Sequence, residues 1–93
     1  MKDSFADIVT FKKLEDDSTL FDLADVLLYG KALCLDCRDC NKEVSQKCLN
    51  FLSGVTYAID GLVEKLQPNI FLLARKEQYK NTDIKKFLEQ YKK

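Results

Sequence analysis

The chain has no histidine and no tryptophan, only three glycines and one proline, and no net charge. Each deficit excludes something. Without histidine the commonest general base and the commonest metal ligand are missing together. Gly30, Gly54 and Gly61 stand too far apart to build a glycine-rich phosphate loop. Fifteen basic residues are balanced by fifteen acidic ones, whereas nucleic-acid binders carry a basic excess that displaces counterions from phosphates. No nucleic-acid partner is therefore expected. No apolar run approaches the roughly 20 residues that span a bilayer, and Met1-Lys2-Asp3-Ser4-Phe5 lacks the apolar stretch of a secretory signal. The cysteines are then expected in a reducing cytoplasm, where structural disulfides are uncommon.

What is present is the composition of one small globular domain: 93 residues, 46% hydrophobic and 32% charged, with six Phe and four Tyr. A disordered chain would carry fewer apolar residues and more net charge. A domain of this size buries a modest share of its surface, so an exposed apolar face is a candidate for a second subunit or a partner. Charge is interleaved except over residues 75–93, where seven basic residues face Glu77, Asp83 and Glu89. Such a surplus favours an acidic partner or an anionic membrane surface, or is simply a solvated tail.

Val9 and Phe11 alternate with Thr10 and Lys12, the period of a strand within residues 7–14. Leu20, Leu23, Ala24, Leu27 and Leu28 draw one face of a helix, with Ser18 as its capping residue and Gly30 just past its end, where φ > 0 is wanted. Residues 32–37 form a short apolar run consistent with a buried strand. Val44, Cys48, Phe51, Leu52, Val55 and Ile59 predict a helix from about Lys42 to Ala58, with Asp39 or Asn41 as its cap. Residues 62–66 and 70–74 read as a hairpin about Gln67-Pro68-Asn69. Ile84, Phe87, Leu88 and Tyr91 predict a terminal helix capped by Thr82 or Asp83, packing on its own domain or on a second subunit.

The order strand, helix, strand, helix, strand, strand, helix implies an α/β fold. Two right-handed crossovers with parallel pairing, plus an antiparallel edge from the hairpin, give a small mixed sheet packed against two helices, with a third helix at the C-terminus. The expected organisation is a short lead (1–6), a core domain (7–74) and a basic amphipathic helix or tail (75–93).

The search for chemistry finds little. Asp36 and Asp39 could pair as carboxylates, but a chain this acidic always offers such pairs. Cys34, Cys37 and Cys40 form C-x-x-C-x-x-C, with Cys48 further on. Four thiolates can hold zinc or an iron–sulfur cluster, and C-x-x-C also serves redox enzymes, so a metal-binding or redox protein is the alternative reading. Geometry opposes it: on one strand, an offset of three sends Cys34 and Cys37 to opposite faces. Cys48 falls in a helical apolar stripe, where cysteine behaves as a small hydrophobe. No cofactor is expected and no metal.

One segment is more specific. Phe51-Leu52-Ser53-Gly54-Val55-Thr56-Tyr57-Ala58-Ile59-Asp60-Gly61 resembles the F-L-S-G-x-x-Y-A-x-x-G signature of the SepF family of bacterial cell-division proteins. Ile8 to Leu14 resembles that family's opening strand, Leu23-Ala24-Asp25 its first helix, and Lys65-Leu66 with Phe71-Leu72 its closing hairpin. The resemblance covers about Asp7 to Ala74.

It implies a non-enzymatic adaptor at the cytoplasmic face of the membrane at the division site. Proteins similar to SepF form homodimers that can associate further into curved polymers, bind the C-terminal tail of FtsZ, and connect its filaments to the membrane. Carried over by position, Lys65 and Phe71 would contact the FtsZ tail, with Tyr57 a pocket-lining candidate. Gly54, with Ser53 beside it, would stand near a contact between subunits. A glycine inside a helix costs about 1 kcal/mol relative to alanine, which close approach of another element would offset. The family usually begins with an amphipathic membrane-binding helix and a linker. Only Met1 to Ala6 precede the first strand here, so membrane contact would need a segment beyond this chain. Relatives usually carry aliphatic residues where Cys34, Cys37 and Cys48 stand, which favours reading them as apolar fillers.

Overall fold

The computed structural model describes residues 8–91; the lead and the final two lysines lie outside them. Strand β1 (Val9–Lys13) is followed by helix α1 (Leu20–Leu28), strand β2 (Ala32–Asp36), helix α2 (Lys42–Ala58), strands β3 (Gly61–Gln67) and β4 (Ile70–Arg75), and helix α3 (Thr82–Tyr91). Single 3-10 turns occupy Asp17–Thr19 and Gln78–Lys80. The second helix has the bounds expected from its periodicity.

The caps are asparagines and an aspartate. Asn41 accepts hydrogen bonds from the N–H groups of Glu43 (2.8 Å) and Val44 (3.2 Å), satisfying two orphan donors of α2. Asn81 does the same for Asp83 and Ile84 at the start of α3, one residue before the expected Thr82. Ser18 caps nothing; Asp16 accepts from the Ser18 N–H at 2.9 Å and starts a 3-10 turn ahead of α1. Gly30 ends that helix with φ of +96°, as a left-handed cap requires.

The four strands form one mixed sheet in the order β1-β2-β4-β3. The first crossover is parallel, pairing Val9 with Ala32 through Lys13 with Asp36. The second departs from expectation. β3 runs parallel to β2, since both are antiparallel to β4, but β4 lies between them. Composition explains the placement. In β4, Ile70, Leu72, Leu73 and Ala74 are buried on both faces, whereas β3 carries exposed Leu62, Lys65 and Gln67. The strand apolar on both sides takes the interior, and the strand bearing a lysine takes the edge.

Both faces of the sheet are covered. On one, Leu33, Leu35 and Leu73 pack against Leu23, Ala24 and Leu27 of α1 and Cys48 and Leu52 of α2. On the other, Val9, Ala32, Cys34, Leu72 and Ala74 pack against Ile84 and Phe87 of α3. Each fully buried leucine contributes about 1.5–3 kcal/mol of transfer free energy. Phe87 sits between Phe11 (5.7 Å, edge-on) and Tyr91 (4.8 Å), so α3 is anchored to the sheet by aromatic contacts as well. The terminal stripe therefore lies on its own domain. Tyr79 pins the hairpin from outside, its hydroxyl 2.8 Å from the Leu62 carbonyl and 2.9 Å from that of Leu72.

Gly61 is where α2 turns tightly into β3. A Cβ there would lie 2.6 Å from the Ala74 carbonyl oxygen and 2.7 Å from the Thr56 methyl. Neither can yield, because Ala74 is in the central strand and Thr56 is wholly buried, its hydroxyl donating to the Leu52 carbonyl at 2.7 Å. Gly61→Ala is expected to lower stability by about 1–3 kcal/mol through overpacking, read as a reduced urea midpoint; an unchanged midpoint would show that the turn is looser than described.

Candidate partner-binding site

Lys65 and Phe71 are directly opposite each other across the β3–β4 ladder, and opposed residues of an antiparallel pair share a face. That face is the one bearing α1 and α2, since Phe71 packs against their core. Phe71 is half-buried and Lys65 exposed. A register irregularity between Lys65 and Gln67 ends the regular ladder there. An aromatic surface and a cation are thus brought together at the hairpin end of the sheet.

Phe71 forms the floor of a groove of about 350 Å³ whose other wall is the first half of α2, through Ser45, Gln46 and Leu49. Arg38 and Lys42 contribute to its rim, and the turn residues Cys37, Cys40 and Asn69 close one end. The Cys37 N–H donates to the Asn69 carbonyl at 2.8 Å, tying the β2–α2 connection to the hairpin turn. Asn69 takes φ of +68°, a left-handed conformation that asparagine tolerates better than most residues. Phe71 and Leu49 with Arg38 and Lys42 at the rim, and Lys65 opposite Phe71 on the neighbouring strand, match an extended peptide with apolar and acidic residues.

Ion pairs organise the rim. Asp36 receives two hydrogen bonds from the Arg38 guanidinium, at 3.0 and 2.8 Å, and a third from its backbone N–H. These bonds hold the Asp36 carboxyl down at about 2. Asp39 pairs with Lys13 at 2.7 Å. The two carboxylates considered as a catalytic pair are each engaged by their own cation.

The other residues singled out from the sequence lie elsewhere. Gly54 is exposed, and a Cβ there would meet nothing within 4 Å. The helix does not break at it; α2 continues to Ala58. Among the described residues no element approaches to offset its cost. Exposed Phe51 and Tyr57 stand either side of it on the outer arc of α2, and Phe51 meets Phe21 of α1 edge-on at 5.8 Å. Ser53 is half-buried beside them. Tyr57 does not line the groove within one chain. It lies eight residues beyond Leu49, about 12 Å along the helix. Leu28 and Tyr29 are exposed as well, so Leu28 is not on the inner face of its helix.

Cys34 and Cys37 point to opposite faces of the sheet, Cys34 into the α3 side and Cys37 into the α1/α2 side. Burial pushes the Cys34 thiol up to about 11. Among the described residues no group of three or more cysteine or carboxylate side chains is placed to hold a metal ion. No described helix is long and apolar enough to cross a membrane.

Residues 8–77 match the family described as Cell division protein SepF. The chain belongs to the SepF family. It is 39% identical over 67 residues to the Cell division protein SepF of Syntrophomonas wolfei, covering 68% of this chain and 47% of that one. It is 31% identical over 81 residues to that of Ruminiclostridium cellulolyticum, covering 87% and 51%. With the SepF of Acetivibrio thermocellus it shares 38% over 53 residues, 57% of this chain and 34% of the relative. The chain thus spans about half the length, or less, of these relatives. The SepF resemblance read from the F-L-S-G segment is the family found. Arg38, Lys42 and Leu49 were not singled out from sequence: they carry no motif, and only the placement of α2 beside the hairpin brings them to Phe71.

Since the Asp36 carboxyl is lowered from its ordinary value of 3.8, its clamp on Arg38 is complete above pH about 4 and is lost as pH falls towards 2. Carboxyl titration by NMR is expected to find Asp36 depressed in wild type and to move it back towards its ordinary value in Arg38→Ala, where only the backbone N–H bond remains. An ordinary Asp36 in wild type would mean the clamp does not persist in solution.

Proposed function

We propose that this domain is a non-catalytic adaptor of cell division that captures the C-terminal tail of FtsZ in the groove beside Lys65 and Phe71 and self-associates through the outer face of its helices. The observation that carries the reading is the cross-strand pairing of Lys65 with Phe71 at a groove rimmed by further cations. A buried aromatic anchor with charge at its rim is the usual energetic anatomy of a peptide site. The adaptor acts on the cytoplasmic face of the membrane at the division site.

Self-association uses the arc containing Phe51, Gly54 and Tyr57, with Ser53 and the Phe21 ring beside it. Exposed aromatics and an uncompensated mid-helix glycine are what a helix-to-helix contact between two copies would bury. Such dimers can assemble further into polymers.

Calorimetric titration with a synthetic FtsZ C-terminal peptide tests the groove. Saturable binding at one peptide per chain is expected, weakened at least tenfold by Phe71→Ala, about 1.4 kcal/mol or more, and several-fold by Lys65→Glu. If both variants bind like wild type while folded, the groove is not the site. For the outer face, Gly54→Lys is expected to shift sedimentation towards monomer with the fold intact by circular dichroism. A variant that self-associates like wild type would place the contact elsewhere.

A further inference from the structure

The cysteines of the C-x-x-C segment are not absorbed by the adaptor reading, yet two of them stand in the wall of its groove. Residues 37–40 form a turn closed by the Cys40 N–H donating to the Cys37 carbonyl at 3.2 Å. A hydrogen-bonded four-residue turn holds its end Cα atoms within about 7 Å, and disulfides span Cα separations of about 4.4–6.8 Å. Both residues border the same cavity, and Cys40 packs against the same core cluster that contains Cys37. The turn is fixed from outside by the Asp36–Arg38 clamp and the Lys13–Asp39 pair. Cys34 is excluded by the sheet between it and them; Cys48 is buried in the same cluster as Cys37 but does not line the cavity that Cys37 and Cys40 share.

We propose that Cys37 and Cys40 are a reversible dithiol–disulfide pair, a modification site through which oxidation by a small-molecule disulfide alters the partner groove. The two thiols differ in access: Cys40 is half-buried and Cys37 only 2% exposed. Cys40 is thus the entry point. Its thiolate attacks one sulfur of the small disulfide, forming a mixed disulfide and releasing one small thiol, which takes up a proton. The Cys37 thiolate then attacks the Cys40 sulfur and displaces the second small thiol. Two protein thiols are oxidised to one disulfide, and one small disulfide is reduced to two thiols. Burial raises both protein thiols, and Asp16 and Asp17 raise that of Cys40 further. The pair is therefore a slow responder to redox poise and not a catalytic dithiol.

The groove changes because Cys37, Cys40 and Ser45 line it together. Forming the bond draws the two sulfurs together in that wall and so alters its shape. This consequence rests on the groove reading given above; the bond itself does not.

The test equilibrates the reduced, full chain in glutathione buffers of increasing oxidised fraction and maps the products by mass spectrometry. Trypsin cleaves after Arg38, so a Cys37–Cys40 bond joins two otherwise separate peptides, and fragmentation distinguishes Cys37 from Cys34 within the first. The expected product is a monomer lacking two hydrogens, restored by dithiothreitol. Cys40→Ser is expected to give no product, and Cys37→Ala to stop at a glutathione adduct on Cys40. A wild type that stays reduced throughout, stops at that adduct, or forms only disulfide-linked dimers overturns the proposal. Oxidised protein is expected to bind the FtsZ tail peptide at least threefold more weakly than reduced protein; equal affinities overturn the coupling. Failure of the peptide to bind either form counts against the adaptor reading alone, because the peptide map decides the disulfide independently.

Discussion

The fold depends on one constraint: the central pair β2–β4 is apolar on both faces. Leu33, Leu35 and Leu73 face one way, and Cys34, Leu72 and Ala74 the other. Neither face can be left to water, so helices must cover both. α1 and α2 supply one cover and α3 the other. Placing β4 inside the sheet also forces β3 to the edge, and that edge carries Lys65. The position of the candidate groove is thus a consequence of how the core is filled.

Both sheet faces are occupied within the chain, so apart from the strand residues Phe11 and Leu62 the large exposed apolar side chains stand on or beside the helices. Phe21, Phe51 and Tyr57 are exposed there, around a glycine that no described residue approaches. The two kinds of glycine in the F-L-S-G-V-T-Y-A-I-D-G segment thereby separate. Gly61 is required by the fold, since a side chain would collide with the Ala74 backbone. Gly54 has open space around it among the described residues. Its cost of about 1 kcal/mol has no compensation there, which is what the proposed self-association would supply.

Much was legible before the fold was seen. The α2 helix follows from its apolar spacing, the hairpin from the Pro68-Asn69 turn between two apolar runs, and the Gly30 cap from its place after the last periodic leucine. The inferred opposition of Cys34 and Cys37 follows from the two-residue period of a strand. The family was read from a contiguous motif. Less legible were the caps at Asp16 and Asn81, each a residue or two from the expected position, because neighbouring Asp, Asn, Ser and Thr compete for one role. Leu28 and Phe51 fit the helical stripes but lie outside the cores, since a stripe defined by spacing is wider than the surface a neighbouring sheet covers.

By itself the sequence determined the elements, the α/β class and the family, because periodicity, capping and motif are written in neighbouring residues. Tertiary structure decided the strand order, the pairing of Lys65 with Phe71, the grouping of Phe71 with Arg38, Lys42 and Leu49, and the separation of Tyr57 from that groove. It also placed Cys37 and Cys40 on one cavity. These depend on pairings between segments far apart in the chain, such as Asp36 with Ile70. Such pairings are selected by the combined burial of every apolar face at once, a quantity that no single segment carries.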